Sequence, residues 1–217
     1  MNNKVLFVSG IDTDAGKTYA TAFIALNLKA KGLKTITQKF IQTGCTDSSE
    51  DIEAHRRLTG SALLPEDTDG TTAPLIFTYP CSAQLAAAID GRPIDLSLVD
   101  RSTEILANRY DRVLVEGAGG LMVPITDDFL AIDYISTRHL PVALVTNGRL
   151  GSINHTLLSL EALAARSIEM PLLIYNQYFD TDAKIAADTR AFLGRYIATH
   201  FPETEIVDMP PFDKWKY

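Results

Sequence analysis

The chain has 217 residues, room for one compact α/β domain with its own core and short for two. Twenty Lys and Arg against 27 Asp and Glu leave a net charge of −7, the wrong sign for a generic binder of phosphate backbones, and 46% hydrophobic with 22% charged residues excludes a disordered or fibrous chain. No apolar run approaches the roughly 20 residues that cross a bilayer, and Met1-Asn2-Asn3-Lys4 lacks a signal-peptide core, so the expectation is a cytoplasmic protein engaging neither membrane nor nucleic acid.

The first predicted element is Val5-Leu6-Phe7-Val8, apolar without alternation, as a strand buried on both faces requires. Residues 16–31 have helical length and period, with Ala20, Phe23, Ile24 and Leu28 on one face and Gly32 as a stop. Lys39 ends a second strand. Residues 41–80 are less regular: a polar loop (43–51), a short helix (52–58) and a Thr-rich, Pro-containing stretch (68–80) of a length that loops reach when they carry function. Further strand-like runs lie at 112–115, 142–145 and 172–175. Between the last two, residues 152–166 read as a helix with Ile153, Leu157, Leu160 and Ala164 in one stripe, and 210–217 is a short aromatic extension. Strands alternating with helices imply a mainly parallel sheet flanked by helices, with ligands at the carboxyl ends of its strands. Cys45 and Cys81 have no metal-ligand spacing and read as small buried thiols.

The strongest chemical signal is Gly10-Ile11-Asp12-Thr13-Asp14-Ala15-Gly16-Lys17-Thr18, placed after a strand and opening a helix, where a P-loop belongs. Backbone N–H groups of such a loop face phosphate oxygens, Lys17 neutralises charge on them, and the Thr18 hydroxyl can hold Mg²⁺. Five residues rather than the usual four separate Gly10 from Gly16-Lys17-Thr18. A second signal is Val113-Leu114-Val115-Glu116-Gly117-Ala118-Gly119-Gly120, a buried strand ending in an acid whose charge needs a partner, so Glu116 is a metal candidate. Lys39 would project at the same sheet edge, where a second lysine can stabilise a transferring phosphoryl group. Asp51 is a further metal candidate with which Asp47 and Glu50 compete, and an N-cap role suits it equally. The residues at 1–60 carry a charge of +2 and the remainder −9, so the basic quarter holds both lysines. His55, His139, His155 and His200 fall into no nucleophile–base–acid pattern.

Together with Gln42-Thr43-Gly44 and Leu150-Gly151-Ser152-Ile153-Asn154-His155, these motifs resemble the dethiobiotin synthetases, in the right order along most of the chain. The resemblance implies a P-loop NTPase-like fold in a single ligase domain spanning 1–217. It also implies a homodimer that uses Mg²⁺ and ATP to join CO₂ to 7,8-diaminopelargonate, giving dethiobiotin, ADP and phosphate through a phosphorylated carbamate. By position, Thr13, Asp14, Ala15, Gly16, Lys17 and Thr18 would hold the nucleotide phosphates, with Asn176 and Pro210 framing the adenine. Thr18, Asp51 and Glu116 would bind Mg²⁺. Lys17 and Lys39 would be catalytic. Thr43 and Ser82 would lie beside the diamine, and Gly151, Ser152, Ile153 and Asn154 would receive the substrate carboxylate from the other subunit. Phe40 departs from the family's usual proline, and Ala83-Gln84 from a common Pro-His.

Two rival readings share the fold. A partitioning or septum-placement ATPase would bring a further P-loop lysine and a basic C-terminal membrane helix, neither of which the sequence has. An amide-forming ligase drawing nitrogen from glutamine would need an amidotransferase domain for which 217 residues leave no room.

Overall fold

A computed structural model describes residues 4–215; Met1, Asn2, Asn3, Lys216 and Tyr217, at the ends of the readings above, lie outside it. In chain order the elements are β1 (Val5–Gly10), α1 (Lys17–Ala30), β2 (Thr35–Lys39), β3 (Gln42–Thr43), α2 (Glu50–Leu58), α3 (Pro65–Thr68), β4 (Ile76–Phe77), α4 (Ala83–Asp90) and α5 (Leu96–Arg109). They continue with β5 (Arg112–Gly120), β6 (Pro124–Thr126), β7 (Phe129–Leu130), α6 (Ala131–Thr137), β8 (Val142–Asn147), α7 (Ser152–Ala164), β9 (Leu172–Asn176), α8 (Ala183–His200) and β10 (Glu205–Met209).

Six strands form one sheet in the order β10-β9-β8-β1-β5-β2, every neighbouring pair parallel. The unalternated apolar runs are its centre: β8 is buried throughout, and helices cover both faces. Along β1, Val5 and Phe7 enter a core shared with Leu106 of α5, Ile132 of α6 and Leu160 of α7, while Val8 meets Ala20 and Ile24 of α1 on the other face. Since all six strands run the same way, their carboxyl ends make a single edge, and each loop read above as chemical leaves from it.

The irregular stretch at 68–80 is more ordered than its composition predicts. It contributes β4, which pairs in parallel with β3, Gln42 opposite Ile76 and Thr43 opposite Phe77. Two-residue strands carry no period that sequence could reveal. The stripe on α7 is also rotated: Ser152, Thr156, Leu160 and Leu163 are buried, Ile153 and Leu157 are half-buried and Ala164 is exposed. Thr156 can face the core because its hydroxyl bonds the Ser152 carbonyl at 2.6 Å and lies 2.6 Å from Thr146 Oγ1. Cys45 is buried and Cys81 half-buried, both free thiols. No described helix is long and apolar enough to cross a membrane.

Candidate active site

The loop from β1 to α1 curls as the glycine spacing demands. Gly16 precedes the first helical residue at φ +97°, and a Cβ there would come within 2.2 Å of the Asn176 amide nitrogen. That amide, at the end of β9, donates to the Ala15 carbonyl at 3.0 Å, so β9 holds the loop. The loop opens on a cleft of about 830 Å³ lined by Thr13, Asp14, Gly16, Lys17 and Thr18 on one side and by Asn176 and Pro210 on another. Ala15 lies beneath the loop, fully buried.

Parallel register makes Lys39 and Glu116 direct neighbours, the last residue of β2 opposite the acid of β5. Phe40 extends this pairing by one bond, its N–H donating to the Glu116 carbonyl at 2.8 Å, a donor that proline would lack. The Phe40 ring packs against Phe7 and Tyr134 in the core.

Asp51 arrives from α2. Ser49, not Asp51, caps that helix, accepting from Ile52 N–H at 3.2 Å, which frees Asp51 in the first turn to face the cleft. Asp47 and Glu50 are exposed. The resulting cluster is tight. Lys39 Nζ lies 2.5 Å from Asp51 Oδ2, 2.9 Å from Glu116 Oε1 and 3.2 Å from the Gly117 carbonyl. The Thr18 hydroxyl lies 3.0 Å from Asp51 Oδ1 and 3.1 Å from Glu116 Oε1. Lys17 Nζ donates to the Asp12 carbonyl at 3.1 Å.

Burial shifts each charge, and the neighbours decide the sign. Burial would raise the Glu116 carboxyl, but Lys39 and His55 outweigh it and hold the group far below the ordinary carboxylate range. Burial would lower Lys39, but Glu116 and Asp51 keep it above its usual value. Lys17 has less compensation: burial, then the positive Lys39, pull it below its usual value. An incoming polyphosphate would supply the negative charge that Lys17 lacks.

The donor set suits Mg²⁺. Two carboxylates and a hydroxyl are hard oxygen ligands, and Lys39 already lodges a cationic group between the two acids. Among the described residues no group of three or more His, Cys, Asp and Glu is placed to hold a metal ion by itself.

Thr43 joins the cleft wall. Ser82 does not; its hydroxyl caps α4, accepting from Leu85 N–H. Gly151, Ser152, Ile153 and Asn154 form the N-terminal turn of α7 outside the cleft lining, with Gly151 left-handed and Ser152 Oγ buried without a partner among the described residues. Sequence reasoning missed three contributors. His55, one helical turn after Asp51, bonds Glu116, and the i, i+4 spacing was its only signal. Arg149 stacks on the Phe179 ring at 3.7 Å along the cleft wall. The aromatic extension folds back over α1, pairing Phe212 with Tyr19 and Trp215 with Phe23, and lines the end of the cleft beside Pro210.

A family model described as an AAA domain matches residues 4–210. An ATP-dependent dethiobiotin synthetase of Haemophilus ducreyi is 51% identical over 95% of this chain and 98% of its own length. The chain belongs to the dethiobiotin synthetase family. Relatives named as ATP-dependent dethiobiotin synthetases in Pasteurella multocida (46% identical, 95% of this chain, 98% of that one) and Chlorobaculum tepidum (47%, 96% and 88%) agree. Solved structures share this synthetase's fold at low identity. Apo McdA from Cyanthece has a TM-score of 0.56 at 14% identity, covering 96% of this chain and 86% of that one. FlhF complexed with GMPPNP and Mg²⁺ has a TM-score of 0.52 at 14%, covering 98% and 67%. A putative plasmid partition protein from Borrelia burgdorferi bound to AMPPNP reaches 0.52 at 15%, covering 94% and 85%, so the rival partitioning reading has the likeness of fold alone.

Proposed function

We propose that the chain carries out ATP-dependent, ring-forming carboxylation of 7,8-diaminopelargonate to dethiobiotin, as one ligase domain acting in the cytoplasm. It is an ATP-dependent ligase of biotin biosynthesis, as its family membership entails. The observation that carries the detailed reading is the meeting of Lys17, Lys39, Thr18, Asp51 and Glu116 at one strand edge beside the cleft.

One amine of the substrate attacks CO₂, forming a C–N bond and losing a proton to leave a carbamate. A carbamate oxygen then takes the γ-phosphoryl group, releasing ADP. The second amine attacks the same carbon, closing the five-membered ring as phosphate leaves with the carbamate oxygen. No covalent bond to the protein is needed, so positioning and charge do the work. Lys17 and the loop N–H groups bind the phosphates. Lys39, freed from Asp51 and Glu116, places its ammonium where the carbamate and the phosphoryl group meet. Thr18, Asp51 and Glu116 would hold Mg²⁺, which when bound neutralises charge on the phosphate oxygens. Asn176 and Pro210 would frame the base and Thr43 would border the diamine from the cleft wall, with Ser82 at the cap of α4 outside that lining.

The turn of Gly151, Ser152, Ile153 and Asn154 is outside its own cleft, and Leu150 beside it is 86% exposed. The N-terminal end of α7, where Ser152 Oγ has no partner among the described residues, suits a carboxylate. We therefore propose a homodimer in which this turn serves the partner's cleft.

The test mixes protein, Mg-ATP, bicarbonate and 7,8-diaminopelargonate and follows dethiobiotin and ADP by mass. Both are expected in equal amounts. A sample that binds ATP yet gives neither would remove the assignment of substrate and leave the fold untouched.

A further inference from the structure

Glu116 has two carboxylate oxygens, and the structure uses them differently. Oε1 faces the cleft side of the cluster, with Lys39 Nζ at 2.9 Å and Thr18 Oγ1 at 3.1 Å. Oε2 points away and is met by His55 Nε2 at 2.6 Å. Both side chains are essentially without solvent contact, at 0% for His55 and 1% for Glu116. The other ring nitrogen, Nδ1, is buried with no hydrogen-bond partner among the described residues, so the ring's polar contact is spent on Glu116.

We propose that His55 is a positioning residue that pins the Glu116 carboxylate so that Oε1 stays aimed at the cation position. This rests on the reading of Glu116 and Asp51 as Mg²⁺ ligands. The terminal torsion of a glutamate is broad and nearly two-fold, so an unrestrained carboxylate would swing between presenting one oxygen, the other, or both. An N–H donor fixed to Oε2 removes that freedom. His55 is itself held by the buried face of α2, alongside Ile52 and Leu58. That helix thus delivers two parts of one site a turn apart, the ligand Asp51 and the residue that orients the other ligand. An apolar side chain would fill the same space but leave Oε2 buried without a donor. Partners of this kind typically change metal affinity 10- to 100-fold when lost.

The test uses the full chain with Mn²⁺ as probe and a non-hydrolysable ATP analogue, reading free Mn²⁺ by its paramagnetic resonance. His55→Leu should weaken Mn²⁺ binding by about 10- to 100-fold. His55→Gln, whose amide can donate at similar reach, should recover affinity to within a few-fold of wild type. In turnover, His55→Leu should raise the Mg²⁺ concentration needed for half-maximal rate while saturating Mg²⁺ restores kcat. Wild-type Mn²⁺ affinity in folded His55→Leu would overturn the proposal, as would equal weakening in Leu and Gln variants. If His55→Leu does not fold, His55→Asn, too short to reach Oε2, takes its place: tighter Mn²⁺ binding in Gln than in Asn supports the proposal, and equal binding overturns it. Glu116→Gln in the same titration keeps the underlying reading separate. Unchanged Mn²⁺ affinity there would remove Glu116 as a ligand, whatever His55 does.

Discussion

His55 and Arg56 are consecutive on α2, yet they serve two buried acid clusters of opposite construction. Arg56 turns to Asp67 with a two-pronged fork, Nε to Oδ2 at 2.8 Å and Nη2 to Oδ1 at 2.7 Å, while Nη1 reaches Thr37 Oγ1. Asp67 is completed by the Leu64 N–H and the Thr72 hydroxyl. Every direction is filled, and the pair is 7% and 4% exposed. The cluster around Glu116 is instead centred on a lysine, a point charge on a flexible stem, and Asp51 is 26% exposed toward the cleft. A saturated fork fixes α2 and α3. An open cluster whose cation can leave is a place where phosphate and metal can enter.

The largest expected effect lies on the saturated side. Arg56→Ala would strand a buried carboxylate, and losing one partner of a buried pair costs about 3–5 kcal/mol. For a chain of this size that is a fall in Tm on the order of 10 °C, read by calorimetry. A loss below about 1 kcal/mol would show that the fork is not the clamp described.

The open cluster should respond in rate. Lys17→Ala and Lys39→Ala should each lower turnover by about 10²–10³, the usual effect of removing one charge-stabilising donor. Lys39→Ala also leaves Glu116 and Asp51 facing each other without their ammonium. It should therefore gain more thermal stability from added Mg²⁺ than the wild type does, by mass action on a site with no internal competitor. Normal turnover in either variant, or equal Mg²⁺ stabilisation, would break the contrast.

Much of the open cluster is legible in the sequence, because its parts stand at the ends of apolar runs. Lys17, Lys39 and Glu116 need only the rule that parallel strands end on one edge. Asp51 needed the structure, since three acids compete within five residues and it is Asp51 that reaches Lys39 and Thr18, Asp47 and Glu50 being exposed. The saturated cluster is illegible for a different reason. Arg56 and Asp67 lie on short helices with no periodic signal, and their pairing is a tertiary fact, as is His55 meeting Glu116 from 61 residues away. The aromatic extension carried its hydrophobicity openly, but nothing local says that it returns to α1. On α7, apolar periodicity misplaced the buried face because Ser152 and Thr156 are polar only until their surroundings are known.

Acid should separate the clusters more gently. Burial would raise Asp67, but Arg56, the Leu64 N–H and the Thr72 hydroxyl hold its carboxyl below the ordinary value of 3.8. A depressed carboxyl contributes stability that is complete above its unfolded value and lost as pH falls through the folded one. Asp67→Asn should accordingly be less stable than wild type by a constant amount from neutral pH down to about 4, with the gap closing below that. Urea titrations at several pH values measure it; a gap that widens on acidification would contradict the sign.

The smallest effect is the sharpest control. Arg190 grips Asp208 with the same fork that Arg56 makes, Nε to Oδ1 at 2.5 Å and Nη2 to Oδ2 at 3.2 Å. The difference is water: these side chains are 31% and 43% exposed. Exposed pairs gain little, since the solvent screens the attraction and two long side chains lose freedom, and measured values fall at about 0–1 kcal/mol. Arg190→Ala should thus cost less than about 1 kcal/mol where Arg56→Ala, which also removes the bond to Thr37, costs several. A comparable loss at both positions would mean that the fork itself, rather than the burial that leaves Asp67 stranded, holds α2 in place.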